Sequence, residues 1–552
     1  MLTRRRFTAL ALGSTALAGC DLRLPPVRPV EARGTIDTHV HFFNGTDVPV
    51  LGFLDQVDFV GQHGGEVPEL ARSPLIRFIV GLLADLTPLA RDEDVPPTVV
   101  RQSRQVLEDD DRARLAAYLA DFQGGTTQTQ AIVRQPTSIA RAAPDDSDKV
   151  VLAVLEDAAG VRAADLSAGT ADDGRRAVIL RRQALPPEAR PTPEDTARGL
   201  LDPASQRGDP QRLSIAGLIR WAMLLTRPRS EIMQQALDLY GRPSEARVFC
   251  NHLLDMTFWL RATERQQSPL DDQITLMSAL ARRQPQVLVL NFAPFCPLRA
   301  VAEGIGATLG RVQRAVTQDG FAGVKLYPPM GFRPDDNSRV SLKHSRRPDI
   351  DPAWLNDALR ALYRWCEDND VPIASHASPS MGAGEGTAAY AAPRFWGPVL
   401  AAHPGLRVNL AHFGGFERHA VEGKDWQDEL AELVGQHRNL YFDTAYWTEA
   451  APSHPGYGDA LAQAGALLRR QPALGQRMMY GSDWSMIAKE PDHPAYLRDK
   501  LAFVRALPNS DPAAIRGGNA LGWLGLDRQG PQARRLGAFF GDHPAWRQIA
   551  PS

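Results

Sequence analysis

Short apolar runs recur at regular intervals through the second half of this chain, and they constrain its fold more than any other feature. They are Arg247–Leu254, Gln286–Ala293, Ala322–Tyr327, Val371–His376, Leu406–His412, Leu440–Asp443 and Arg477–Asp483, with amphipathic segments such as Pro352–Glu367 and Trp426–Gly435 between them. Apolar runs of this length read as strands buried on both faces, and helices between them imply parallel pairing. One more strand-like run, Gly34–Phe43, lies far upstream. Together these make eight strand–helix units, the count of a (β/α)8 barrel. The reading is therefore a first strand over 34–44, an insertion over 45–245, the rest of the barrel over 246–526 and a C-terminal extension over 527–552. The insertion is mostly helical in pattern at Pro74–Leu89, Asp109–Phe122, Leu213–Leu225 and Glu231–Tyr240. A βα-loop insertion sits at the catalytic mouth of a barrel, so it is expected to act as a lid or cap. A peripheral bundle for a partner is the alternative.

The polar residues at the strand ends carry the chemistry. The first run reads Ile36-Asp37-Thr38-His39-Val40-His41. Residues two apart on a strand share a face, so His39 and His41 emerge side by side, as two ligands of one metal ion would. Asp37 shares that face and is expected to accept a ring N–H. His376, His412 and Asp483 end three later runs. Strand ends in a parallel barrel gather at one mouth. Neutral imidazoles with one carboxylate suit a divalent transition metal, zinc first and manganese second.

These motifs resemble the amidohydrolase superfamily, and within it the amidohydrolase-related branch of metal-dependent hydrolases and non-oxidative decarboxylases. The resemblance rests on Asp37-x-His39-x-His41, the strand-end histidines 376 and 412, and Gly481-Ser482-Asp483-Trp484. Gly323–Pro328 is similar to the family's fourth strand, Leu406–Gly415 to its sixth, and Gly517–Leu524 to its closing helix. The similarity covers residues 34–44 and about 246–526, and leaves the insertion outside it. It implies one divalent metal held by His39, His41, His376 and Asp483. Asp483 also takes a proton from the attacking water, and His412 orients that water or polarises the substrate. In some members a lysine at the position of Lys325 is carboxylated and bridges two metals. Here Lys325 is expected to be a free ammonium that meets a substrate carboxylate or carbonyl, with a lysine snorkelling to solvent as the alternative. Arg333, Arg394, Trp447 and Trp484 lie on βα loops as candidate pocket-lining residues. The implied reaction is hydrolysis of a lactone, ester or amide in a small organic acid by metal-activated water. Metal-dependent decarboxylation is the second reading, and a non-catalytic metal-binding envelope lipoprotein the third.

The front of the chain carries an address. Thr3-Arg4-Arg5-Arg6-Phe7 is a twin-arginine start, and the apolar stretch Ala9–Ala18 is too short for a bilayer, which needs about 20 residues. Leu17-Ala18-Gly19-Cys20 resembles a bacterial lipobox. Residues 1–19 are thus expected to be a signal peptide, Cys20 a lipidated residue and 20–33 a tether. The protein would then be anchored on the periplasmic side of a bacterial membrane. A formal net charge of −2 gives no nucleic-acid surface. Beyond Cys20, three cysteines remain (Cys250, Cys296 and Cys366), each beside apolar sequence; an odd number argues against a disulfide framework and for buried thiols. A small-molecule substrate is the expected partner; a homo-oligomer stays open.

Overall fold

A computed structural model describes residues 34–49, 83, 86–96, 104–124, 192–201, 215–241, 246–260, 267–379, 381–415, 420–421, 424–490 and 492–550. The twin-arginine run, Cys20, the tether and most of Pro74–Leu89 lie outside the described residues.

Eight strands form one sheet: β1 (Thr35–Val40), β2 (Ala246–His252), β3 (Leu288–Pro294), β4 (Gly323–Leu326), β5 (Ile373–His376), β6 (Val408–Ala411), β7 (Leu440–Asp443) and β8 (Met478–Met479). They pair in chain order, every pair parallel. Helices cross between them. Isoleucine, valine, leucine and phenylalanine fill both faces of the strands, as a sheet covered by helices outside and by its own interior side chains requires. The chain after β8 closes the circle against β1. Thr38 N–H donates to the Tyr480 carbonyl at 3.0 Å, Asp483 N–H to the His39 carbonyl at 2.8 Å and Ser485 N–H to the His41 carbonyl at 3.1 Å. These residues therefore do a strand's work although β8 itself is only two residues long. The structure is the (β/α)8 barrel read from the sequence, with a long insertion between β1 and β2.

The closing helix Asn519–Leu524 lies at the opposite end from the strand C-termini. Trp523 stacks on Phe292 at 5.1 Å, and its indole N–H donates to the carbonyl of Ile373, the first residue of β5. The extension packs at that end too, where Gln532 donates to the Ala322 carbonyl at 2.6 Å. One end of the barrel is thus sealed and the other is left for chemistry.

Within the insertion the described helices are α1 (Arg104–Gly124), α2 (Pro193–Leu201), α3 (Ile215–Leu225) and α4 (Arg229–Tyr240). Two buried arginines hold them, Arg229 to the loop after β1 and Arg227 to one another. Arg229 is fully buried and pairs with Asp47, after β1, and with Glu93, and it donates to Thr46 and Ser268 at 3.1 and 3.0 Å. Arg227 pairs with Asp111 of α1 at 2.7 Å and with Glu231 of α4 at 2.5 Å. A buried guanidinium needs such carboxylates, because an unpaired charge in an apolar interior is far more costly. Cys250, Cys296 and Cys366 are buried and free. Among the described residues no helix is long and apolar enough to cross a membrane.

Candidate metal centre

The strand C-termini gather a cluster of buried imidazoles and carboxylates. His39 Nε2 and His41 Nε2 lie 3.3 Å apart, and Asp483 Oδ1 is 3.6 Å from the first and 3.4 Å from the second. Asp483 Oδ1 is buried and has no hydrogen-bond partner among the described residues. Three donor atoms with these spacings match the edges of a tetrahedral site, where ligand bonds of about 2.1 Å put donors ~3.4 Å apart. The donors therefore fit a divalent metal.

Backbone detail makes the convergence possible. Asp483 has φ of 61° and His412 φ of 69°, left-handed conformations that non-glycine residues adopt at a cost of about 1–3 kcal/mol and that turn each side chain back across the mouth. Gly481 stands two residues before Asp483 where space is short: a Cβ there would sit 3.2 Å from His39 Cβ and 3.1 Å from Ala445 Cβ.

Behind the donors stands Asp443, at the end of β7 and fully buried. Its Oδ2 accepts from His39 Nδ1 at 3.2 Å and from Asn409 Nδ2 at 2.8 Å. Its Oδ1 accepts the backbone N–H groups of His412 and Ala445, both at 3.0 Å. The carboxylate holds the proton of His39 on Nδ1 and leaves Nε2 as a bare donor, the usual arrangement of a histidine that ligates metal. His41 is set in the same way, with Nδ1 donating to the His252 carbonyl at 2.8 Å. Burial pushes the His39, His252 and His376 imidazoles well below the usual histidine range, and lowers His412 despite the opposing pull of Asp483 and Asp443. Desolvation thus favours neutral rings there, the form that binds metal.

The other sequence-predicted residues fall in several places. His376 lines the same cavity, with its ring 4.5 Å from that of His412 and stacked on Tyr327 at 4.5 Å. His412 directs Nδ1 to the Ala445 carbonyl at 3.1 Å, and its ring lies 4.9 Å from that of His39. Lys325 does not snorkel: it is 1% exposed and donates to His39 Nε2 at 3.2 Å, with burial pushing its pKa down to about 8. That hydrogen bond and a bound metal compete for one lone pair. Arg333 lies over the rings of Tyr390 and Phe395, and Arg394 pairs with Glu429 at 3.1 Å; neither is among the cavity-lining residues. Trp484 is buried against Tyr240 and His493, and Trp447 against Phe413 and Phe503, so both pack behind the site. Asp37 departs from the expectation. Its Oδ1 accepts the backbone N–H of His39 at 3.2 Å and of Ser482 at 3.0 Å, and the imidazole partner is Asp443. The pairing of β1 with β2 shifts register between Asp37 and Val40, so the two-residue period fails there.

Sequence reasoning missed His252 and Asp443. His252 ends β2, its ring lies 4.6 Å from His39, and both its ring nitrogens lack partners among the described residues. His39, His41 and His252 form one group with donor atoms within 4.8 Å of one another, and His39, His412 and Asp443 form another. Asp443 ends a run that the sequence marks, which is the signal that could have found it, whereas His252 lies inside the run Arg247–Leu254.

The cavity over these donors measures about 70 Å³, several times the ~10–15 Å³ one water needs by the same measure. Its walls are apolar: Phe43, Val48, Leu254, Met256, with Trp221 and Leu225 supplied by α3 of the insertion. The insertion therefore contributes to the wall of the mouth.

Comparison with known proteins gives one family match over part of the barrel and several distant structural likenesses. Residues 262–526 match the family model described as Amidohydrolase. No curated protein matches the chain. Among solved structures, the chain is similar to an uncharacterized TIM-barrel protein from Bordetella bronchiseptica, at 19% identity over 56% of this chain and 83% of that one, with a TM-score of 0.33. It is similar to a probable 2-pyrone-4,6-dicarboxylic acid hydrolase from Acinetobacter baumannii, at 13% identity over 53% of this chain and 88% of the other, with a TM-score of 0.34. It is also similar to a 5-carboxyvanillate decarboxylase from Sphingomonas paucimobilis, at 15% identity over 55% and 88%, with a TM-score of 0.32. Residues 262–526, which include His376, His412 and Asp483 but not His39 and His41, are thus similar to the amidohydrolase family model.

Proposed function

We propose that this protein is a metal-dependent hydrolase of the amidohydrolase superfamily that cleaves a lactone, ester or amide bond in a small organic acid. The observation that carries the reading is the donor triangle of His39, His41 and Asp483, 3.3–3.6 Å on a side, beneath an apolar-walled cavity. His39, His41 and Asp483 would hold one divalent ion, zinc first, with His376 beside them. When bound, the metal supplies Lewis acidity that acidifies a water and polarises the carbonyl.

The chain's own groups do the rest. Asp483 commits Oδ1 toward the two imidazoles and keeps its second oxygen to accept a proton from the attacking water. His412, with Nδ1 donating to the Ala445 carbonyl, has Nε2 bare to accept a hydrogen bond from the attacking water and hold it in line, while the proton that Asp483 takes from the water is the one that Asp483 passes to the leaving group. Asp443 fixes the tautomer of His39 and, through the backbone N–H of His412, the position of the second imidazole. The apolar walls exclude bulk water and strengthen each of these interactions. We further propose that the protein works on the periplasmic side of a membrane, exported through the twin-arginine signal and anchored at Cys20.

Metal analysis of the purified soluble form, followed by a panel of lactones, esters, amides and aromatic carboxylates with and without chelator, tests the activity. One equivalent of metal and chelator-sensitive hydrolysis is the expected result. Failure to bind any divalent ion after reconstitution, or turnover indifferent to chelation, would overturn it. Release of carbon dioxide without hydrolysis would move the assignment to decarboxylation.

A further inference from the structure

Among the described residues that line the cavity, one carries an ammonium or guanidinium group, and it is Lys489. It ends a short turn, Met486–Lys489, on the loop that follows Asp483. It is 7% exposed, so it does not escape to solvent as a surface lysine would. Its ammonium lies 4.8 Å above the Tyr446 ring. Among the described residues no carboxylate pairs with it. Two carboxylates are close enough for their fields to reach it, Glu490 and Asp483, and both are committed elsewhere. Glu490 accepts the Tyr446 hydroxyl at 2.6 Å, and Asp483 faces the two imidazoles. Tyr446 itself has a left-handed backbone, φ 58°, and its hydroxyl bond to Glu490 tethers the ring that lies under the lysine.

A buried cation that faces a cavity without an ion-pair partner is costly unless something anionic arrives. The neighbouring cation, Lys325, is engaged by His39 Nε2 and does not line the cavity. The remaining walls are thioethers, aliphatic groups and aromatic rings. The cavity therefore has three regions: donor atoms at the floor, an apolar wall, and one positive charge.

We propose that Lys489 binds the carboxylate of the substrate, and that the substrate is a small organic acid with one carboxylate on an apolar body. This rests on the hydrolase reading for the reaction but not for the binding. The anion is placed by Lys489 and the ring of Tyr446, the apolar body lies along Phe43, Met256 and Leu225, and the reacting group is presented to the His39–His41–Asp483 end. Lys489 is thus a specificity residue distinct from the lysine that the sequence suggested for this task.

The test measures binding before turnover. Metal-stripped protein is titrated by calorimetry with butanoate, benzoate and phenylacetate, and with the neutral isostere benzamide, in wild type, Lys489→Met and Lys489→Arg. A charged hydrogen bond in a buried site should make the best-bound acid ~10- to 100-fold weaker in Lys489→Met. Lys489→Arg should recover part of that loss, which separates missing charge from a misfolded loop. Benzamide should bind wild type at least ~10-fold more weakly than benzoate. Equal affinity of the acids for wild type and Lys489→Met, equal affinity of benzoate and benzamide, or binding of none of the acids by wild type would overturn the proposal. Turnover distinguishes the two readings. Acid binding that depends on Lys489 in a protein without hydrolase activity would overturn the hydrolase and leave the anion site standing. Hydrolysis of acid-bearing esters at the same kcat/KM in Lys489→Met would do the reverse.

Discussion

Replacing Asp443 by asparagine should weaken divalent-metal binding at the candidate centre and spare the fold. The wild-type carboxylate accepts four hydrogen bonds, two on each oxygen. The asparagine carbonyl can take the place of Oδ1 and keep the backbone N–H groups of His412 and Ala445. The amide NH2 then replaces Oδ2 and faces two donors, Asn409 Nδ2 and His39 Nδ1. Asn409 can accommodate this by turning its amide, since its Oδ1 has no partner among the described residues. His39 can accommodate it only by accepting at Nδ1, which moves its proton to Nε2. That nitrogen is one corner of the donor triangle, so the new tautomer blocks it. Loss of such a supporting carboxylate typically weakens metal binding 10- to 100-fold, or about 1.4–2.7 kcal/mol. The assay is zinc affinity by competition with a chromogenic chelator, beside a thermal melt of the metal-free protein. Expected are a zinc Kd raised by at least tenfold and a melt that remains cooperative. Wild-type zinc affinity in Asp443→Asn would refute the reasoning: either the carboxylate does not set the tautomer, or His39 is not a ligand.

Three further outcomes follow from the same structure. Asp47→Ala removes one of two carboxylates from the fully buried Arg229 and should destabilise the protein by about 3 kcal/mol in urea titration, with a loss below 1 kcal/mol counting against that cluster as the tie between insertion and barrel. Burial holds the Lys500 ammonium well below its ordinary value of 10.5, although Lys500 donates to the Trp447 carbonyl at 2.9 Å. Between its depressed value and 10.5 the unfolded chain keeps the proton that the folded one has lost, so stability should rise with pH in wild type relative to Lys500→Met by up to about 1.4 kcal/mol per unit; a pH-independent difference would show that the lysine is charged in the fold up to its ordinary pKa. Cys20→Ser should release a soluble, fully active protein from membranes that retain the wild type, and retention of the variant would remove the lipid anchor.

The barrel and half of its site can be read in the sequence for one physical reason. A parallel strand is short, apolar on both faces and ends where its chain meets solvent, so a polar residue at the end of such a run is both a boundary and a candidate group. His39, His41, His376, His412 and Asp483 are visible in that way. His252 is not, because Leu253 and Leu254 follow it and make it look like the middle of an apolar run. Asp443 ends its run plainly enough. Its role, however, depends on the turn after β6 bringing the His412 N–H to it, and that meeting is between residues 31 apart in the chain. Asp37 fails for a different reason: period-two reasoning assumes an unbroken register, and β1 breaks it between Asp37 and Val40.

The insertion shows the limit of periodicity more sharply. The apolar patterns at Leu213–Leu225 and Glu231–Tyr240 correspond closely to α3 and α4, because the spacing of apolar residues states that a helix has something to bury. It does not state against what. Trp221 and Leu225 line the cavity where Arg229 pairs with Asp47 in the loop after β1 and Arg227 pairs with Asp111 of α1, contacts that no periodicity states. Lys489 is the extreme case. In sequence it is an ordinary lysine in a short turn. In the fold its neighbouring carboxylate is spent on a tyrosine hydroxyl, its stem is buried, and its charge is directed into a chamber with no other free cation among the described lining residues. Whether a charged side chain is solvated surface or recognition element depends on which opposite charges are already committed, and that is a property of the folded neighbourhood alone.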